Sequence, residues 1–278
     1  MEKLIGLLLF GYTLICNCGT EPAGNGFRKN RREYKVDAYA RMPRELRESS
    51  GLILASEGTF RTMSDGGNPS HLYRIGANGE VLDTMQLALP NQDWESLAKD
   101  PEGNIYIGDF GNNFHNRRNL RIFRLSPGSL LADTILFSYP EQTEFPPADR
   151  KERNFDCEAF IWHQGRLHLF SKSYGDKIVR HYSLPDSSGN YELRLEEQIK
   201  LKGLVTGAAL RPDGRQLALL SYGRLYLFNT EGGDVFFNNP YKCISLAGRA
   251  QTEAVVYLNN SNLLITNEQG RLIYVNRR

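Results

Sequence analysis

Five polar residues, Ser50, Glu95, Glu158, Thr206 and Glu253, each open a short apolar run: Ser50-Gly-Leu-Ile-Leu, Glu95-Ser-Leu-Ala-Lys, Glu158-Ala-Phe-Ile-Trp, Thr206-Gly-Ala-Ala-Leu and Glu253-Ala-Val-Val-Tyr. Together they offer carboxylate and hydroxyl oxygens and no other donor. Three carboxylates brought to one point repel unless they are protonated or share a cation. An all-oxygen donor set selects a hard ion. A wide cage contributed by five separate segments suits calcium better than the tight octahedron that magnesium demands. A leading glutamate can also be a strand-end residue bonded to the neighbouring segment, and the same role is open to Asp93 and Asp156, each two residues ahead of a glutamate.

The elements that could bring these residues together form a repeat. From Tyr34 onward the chain consists of short alternating runs of Val, Ile, Leu, Tyr and Phe, punctuated by Gly, Asn, Asp and Pro, with no helical period. The leading residues recur at intervals of roughly 40 to 50 residues, the spacing of propeller blades. The one longer interval holds the insertion Glu141–Arg153. Each copy continues through a tight turn into a second strand and then a third. Four copies have a fourth strand, one of them read as Tyr191–Leu201. The fifth copy ends at Arg278 without one, and an unpaired strand, Tyr34–Met42, precedes the first. The expected fold is therefore all-β, a single five-bladed β-propeller in which the N-terminal strand closes the last blade and removes an open sheet edge. A six-bladed ring would need a further copy of the repeat. First strands of blades line the axis, so the five leading residues are expected as an axial ring.

First and second strands run antiparallel, so the ends of the second strands, Asp65, Asp109, Lys172, Tyr222 and Glu268, should surround that ring together with Asn68, Asn112, Asn113 and Asn267. A metal and a lysine can hold an anion while a carboxylate moves a proton, which makes Asp65, Asp109 and Lys172 the candidate catalytic groups. The plainer role of these Asp and Asn residues is turn formation, as in Ser64-Asp-Gly-Gly-Asn and Gly108-Asp-Phe-Gly-Asn-Asn. No H-E-x-x-H, P-loop or G-x-S-x-G pattern occurs, and the five histidines are scattered.

The repeat from Ser50 onward resembles the SdiA-regulated family of bacterial propellers, whose first strands open with a similar acidic pair. It is similar, more remotely, to the five-bladed calcium-dependent apyrases, in which serine and glutamate side chains hold a central calcium in the order Ser, Glu, Glu, Ser, Glu. The matching positions here are Ser50, Glu95, Glu158, Thr206 and Glu253, with threonine replacing one serine. Asp65 is placed like an acidic residue near the apyrase site. The resemblance implies a central calcium. Of the basic residues that would hold nucleotide phosphates, Lys172 alone has a counterpart.

The N-terminus, MEKLIGLLLFGYTLICNC, combines Lys3, an apolar run from Leu4 to Ile15 and cysteines at the expected cleavage point. This is an export signal, too short to read as a spanning helix. A cysteine there resembles bacterial lipoprotein signals. Cys18 is the expected lipidation site, with Cys16 the second candidate. Residues 1–18 are then the signal, 19–33 a flexible tether rich in Gly, Arg, Lys and Asn, and 34–278 the propeller. The two remaining cysteines, Cys157 and Cys243, lack ligand spacing and read as core residues, with no disulfide framework expected. The 34 basic and 32 acidic side chains nearly cancel, which gives no field for nucleic acid.

These features predict a monomeric, membrane-anchored envelope protein that uses calcium and a ligand-binding face around it to recognise a small molecule or envelope ligand. The alternative is a calcium-dependent hydrolase of phosphoanhydrides or esters. Binding is the preferred reading because the sequence offers no nucleophile paired with a base.

Overall fold

Period-two alternation sends neighbouring side chains to opposite faces of a sheet, and in the computed structural model of this chain each face is covered by an adjoining blade. The structure describes Cys18 and residues 25–30, 32–56, 58–172 and 174–278. Two strands, β1 (Arg28–Lys29) and β2 (Tyr34–Arg41), precede the repeats. Blade 1 comprises β3 (Ser49–Ser56), β4 (Thr59–Ser64), β5 (His71–Gly76) and β6 (Val81–Gln86). Blade 2 comprises β7 (Trp94–Lys99), β8 (Ile105–Asp109), β9 (Leu120–Leu125) and β10 (Ala132–Ser138). In blade 3, β11 (Cys157–His163), β12 (Arg166–Ser171) and β13 (Ile178–Pro185) are followed by β14 (Gly189–Glu192) and β15 (Arg194–Lys200). Blade 4 is β16 (Val205–Leu210), β17 (Gln216–Ser221), β18 (Arg224–Asn229) and β19 (Pro240–Ser245). Blade 5 is β20 (Thr252–Tyr257), β21 (Leu263–Asn267) and β22 (Arg271–Arg277), completed by β2.

The innermost strands touch in the order β3, β7, β11, β16, β20 and back to β3, which closes the ring. Five apolar clusters, one at each blade interface, hold it. Leu52 joins the cluster between blades 5 and 1, while its neighbour Ile53 joins the one between blades 1 and 2. Ala208 and Ala209 divide in the same way between the interfaces on either side of blade 4. Trp94, Met63 and Phe160 are fully buried in these seams, and a side chain of that kind contributes about 1.5–3 kcal/mol by leaving water.

The expected closure is present. β2 pairs antiparallel with β22 from Tyr34 opposite Arg277 to Arg41 opposite Arg271, so the two ends of the chain share one blade.

Three features depart from the sequence reading. The fourth strand read as Tyr191–Leu201 is two strands: β14 leaves blade 3 to pair in parallel with β10 of blade 2, and β15 completes blade 3. Leu193 is the switch residue, its N–H bonded to Ser138 O across the seam. Part of the stretch read as a tether is docked, because β1 adds in parallel to β19 and Phe27 packs on the rings of Tyr226 and Phe228. Glu33 beside it is paired with Lys242 and Arg277. Finally, Cys18 forms a disulfide with Cys243, 225 residues away, while Cys157 is free and buried. A sulfur in a disulfide cannot also carry a lipid thioether, so the assignments of Cys18 to lipidation and of Cys243 to a simple core role are both corrected. Cys16 lies outside the described residues.

Candidate metal centre

Each of the five leading residues sits where its ladder breaks. The pairing of the first with the second strand skips between Ser49 and Gly51, Trp94 and Ser96, Cys157 and Ala159, Val205 and Gly207, and Thr252 and Val255. Ser50, Glu95, Glu158, Thr206 and Glu253 are thus members of β-bulges, a device that re-aims a side chain out of the pleat.

Three of the five side chains have partners of their own at the axis. Thr206 is buried and its Oγ1 donates to Thr252 O at 2.7 Å. Ser50 Oγ donates to Glu48 O at 3.2 Å. Glu158 is buried and contacts Lys172 Nζ, while its other carboxylate oxygen, Oε2, is buried without a hydrogen bond. Lys172 therefore supplies the positive charge on the axial side of blade 3, with Asp156 3.7 Å from its ammonium. Burial works against the Lys172 charge, but Asp156, Glu95, Glu253 and Asp65 outweigh it and raise its pKa.

Among the described residues, the carboxylates close enough to share a cation are Asp65, Asp93 and Glu95, each with one oxygen within 4.8 Å of the others. Glu95 belongs to the expected ring, Asp65 to the expected rim, and Asp93 was read only as an inter-blade residue. The sequence signal for it is the repeated acidic pair around one residue, Asp93-Trp-Glu95 and Asp156-Cys-Glu158. Burial raises Asp93 to about 6, with Asp65 and Asp156 adding to the effect. Burial followed by the Asp65 charge holds Glu95 well above the carboxylate range. Burial also raises Asp65, against the pull of the Gly66 N–H. Glu253 is raised to about 8 by burial, which Lys172 partly offsets. These shifts are what an acidic centre without enough counter-charge requires.

The carboxylates lie directly against two glycines, whose missing side chains let them approach the backbone. A Cβ at Gly111 would fall 2.3 Å from Asp93 Oδ2 and from Glu95 Oε1, and one at Gly66 would fall 2.4 Å from Asp93 Oδ1. The two halves are tied by Asn91, whose Nδ2 donates to Asp65 O and Asn68 O, both at 3.1 Å, while its Oδ1 accepts from Trp94 N. The donor set is carboxylate oxygen only and fits a hard divalent cation.

Several expected rim residues do other work. Asp109 is fully buried, accepts from Asp93 N at 2.9 Å and is paired with Arg117 and Arg121. It supports the strand beneath the centre, with both carboxylate oxygens already engaged. Asn112 is likewise spent on Asp156 and Phe155, and so staples blade 2 to blade 3. Asn68 closes its own turn onto Asp65 O, and Asn267 is committed to Arg249, Gln269 and Arg271. Asn113 accepts from Lys172 Nζ at 3.4 Å. Tyr222 is buried, and burial followed by Glu253 holds its phenol well above the ordinary value. Glu268 accepts from Gln251 and lies with Glu48, Arg41 and Arg47 around a separate cleft.

With this geometry established, the chain can be set beside known proteins. No family model matches it, and no curated protein is similar to it in sequence. Its fold is that of a five-bladed β-propeller. The PQQ-bound aldose sugar dehydrogenase from Streptomyces coelicolor superposes with a TM-score of 0.55 at 12% identity, covering 88% of this chain and 98% of that one. A gluconolactonase from Xanthomonas campestris gives 0.47 at 13% identity, covering 83% and 72%. At such identities the likeness speaks to the fold, and the resemblance to SdiA-regulated proteins and apyrases rests on the residues quoted for it.

Proposed function

We propose that this protein is an exported, envelope-anchored binding protein that holds a calcium-like cation at Asp65, Asp93 and Glu95 and recognises its ligand on the face around it. The observation that carries the reading is the cradle: three carboxylates within 4.8 Å of one another, walled by two glycines whose Cβ atoms would enter it. Asp109, paired with two arginines, holds the strand beneath the cation and takes no part in binding it. Lys172, buried and paired with Glu158 and Asp156, balances the carboxylates next to the cation. Export is supported by the Cys18–Cys243 disulfide, because such bonds persist in oxidising compartments. With Cys18 engaged, Cys16 becomes the acceptor for a lipid.

Calcium titration by calorimetry tests the site. Micromolar to millimolar saturable binding that is lost in Asp93→Asn is the expected result. Absence of binding, together with no divalent ion in metal analysis of purified protein, would sink the reading.

The hydrolase reading retains one observation in its favour, the Asp93 carboxyl raised to about 6 by burial in a polar mouth. Calcium-dependent turnover of ATP or p-nitrophenyl phosphate by wild type but not Asp93→Asn would establish it.

A further inference from the structure

The innermost strands end, on the face opposite the acidic centre, in an apolar funnel. Its cavity of about 700 Å³ is walled by the C-terminal halves of all five first strands, among them Leu54, Trp162, Leu210 and Val256. That volume lies in the range of small-molecule sites. The polar groups at its mouth are almost all occupied. Asp100 accepts from Asn104 and Tyr106, Arg211 is paired with Asp213 at 2.7 Å, and Tyr257 donates to Gln216. The Trp162 indole N–H donates to Asp186 at 2.7 Å, which fixes the ring in the wall.

Lys99 is the exception. It is exposed at the end of β7, its Nζ donates to Leu54 O at 3.0 Å, and among the described residues no carboxylate pairs with it. The Asp100 oxygens are taken up by Asn104 and Tyr106, and an apolar chamber whose one ammonium free of an ion pair stands at the mouth complements an apolar chain ending in an anion. We propose that this funnel binds a free medium-chain fatty acid, its alkyl chain against Leu54, Leu210 and Val256 and its carboxylate on Lys99. The site is independent of the acidic centre.

Trp162 reports directly on occupancy, because Trp94, the other tryptophan, is fully buried in a blade seam. Fluorescence titration of the full folded protein with octanoate, decanoate and dodecanoate should give a saturable change that disappears in Trp162→Phe. Affinity should rise roughly fourfold per added methylene, the worth of one buried CH₂. Decanol should bind about tenfold or more weakly than decanoate, and Lys99→Met should erase that difference. Val256→Glu, which places an anion in the wall, should abolish carboxylate binding while melting stays near wild type. If that variant fails to fold, exposed Lys99→Met carries the test. The proposal is overturned by a lack of saturable binding, by decanol matching decanoate in wild type, or by an affinity that does not respond to chain length.

Discussion

Lys172 Nζ lies against the Glu158 carboxylate on the axial side of blade 3, so the ring that was expected to need a metal for all its charge balance carries one cation of its own. The pair is buried on both sides, and the second carboxylate that Lys172 faces, Asp156, is fixed by Asn112 N at 2.8 Å. What is left without an ion pair is Glu253 on blade 5 and the neighbouring group on blades 1 and 2, Asp65, Asp93 and Glu95. This division of labour sets the expected responses to mutation, pH and calcium.

Removing the lysine head group should be costly. Lys172→Met leaves Glu158 as an uncompensated buried charge, and breaking a buried pair in this way typically costs about 3–5 kcal/mol. Urea unfolding in EDTA should show a midpoint shift of that order. Calcium should recover part of the loss, since the neighbouring cation then bears on the same carboxylates. A variant as stable as wild type in EDTA would show that the pair is unimportant.

The pH dependence follows from the raised acids. Asp93, at about 6, and Glu253, at about 8, bind protons more tightly in the folded chain than unfolded. The folded state is therefore favoured where they are protonated. That advantage declines as pH rises from the unfolded values near 4 through the folded ones. In EDTA, the contribution of these groups should make melting temperature fall between pH 5 and pH 8. Saturating calcium, which binds the ionised form, should flatten or reverse the slope. Differential scanning calorimetry at three pH values checks both arms.

Gly111→Ala should discriminate the cradle from the scaffold. The added methyl would meet Asp93 Oδ2 and Glu95 Oε1, so calcium affinity should fall at least tenfold. The far-UV spectrum should remain that of an all-β protein. Unchanged calorimetric affinity would place the cation elsewhere.

Truncation through Met42 removes β2 and exposes the β22 edge that it covers. The expected outcome is aggregation or failure to fold, because an open strand edge pairs with other chains. Size-exclusion chromatography showing a monomer with wild-type melting would refute this account of closure.

The cysteines make a separate prediction. Thiol titration of the unfolded, unreduced protein should find Cys157 reactive and Cys18 and Cys243 not, and Cys243→Ser should cost about 2–5 kcal/mol. Labelled palmitate should be incorporated in wild type and lost in Cys16→Ser. Retention of label in that variant, with loss in Cys18→Ser, would restore Cys18 as the lipid acceptor.

Blade number and ring closure were legible in the sequence because they depend on alternation and on a repeat, both of which survive in a one-dimensional reading. Tyr34–Arg41 could be assigned to the last blade from the missing strand alone. The strand exchange at Leu193 could not, since Gly189–Glu192 is too short to show a period and its parallel partner lies in another repeat. The disulfide joins two cysteines of unremarkable spacing, and only the fold brings their Cα atoms to 5.7 Å. At the candidate site, residue types were readable and directions were not. A bulge changes where Glu95 points without changing its neighbours in the chain, and Lys172 turns inward to Glu158 although its repeat position is that of Asp109, which turns to arginines.

Because Ser50, Glu95, Glu158 and Thr206 are the extra residue of a bulge, none of them carries a rung of the ladder that holds its blade together. Substitution at these four positions removes no register pair of the strands, although Thr206 and Glu158 each carry a side-chain contact that a replacement would have to match. The axis is thus a set of interchangeable inserts in a fixed frame, and a lineage could trade carboxylate for hydroxyl or amide there, altering what the mouth captures without renegotiating how the ring folds.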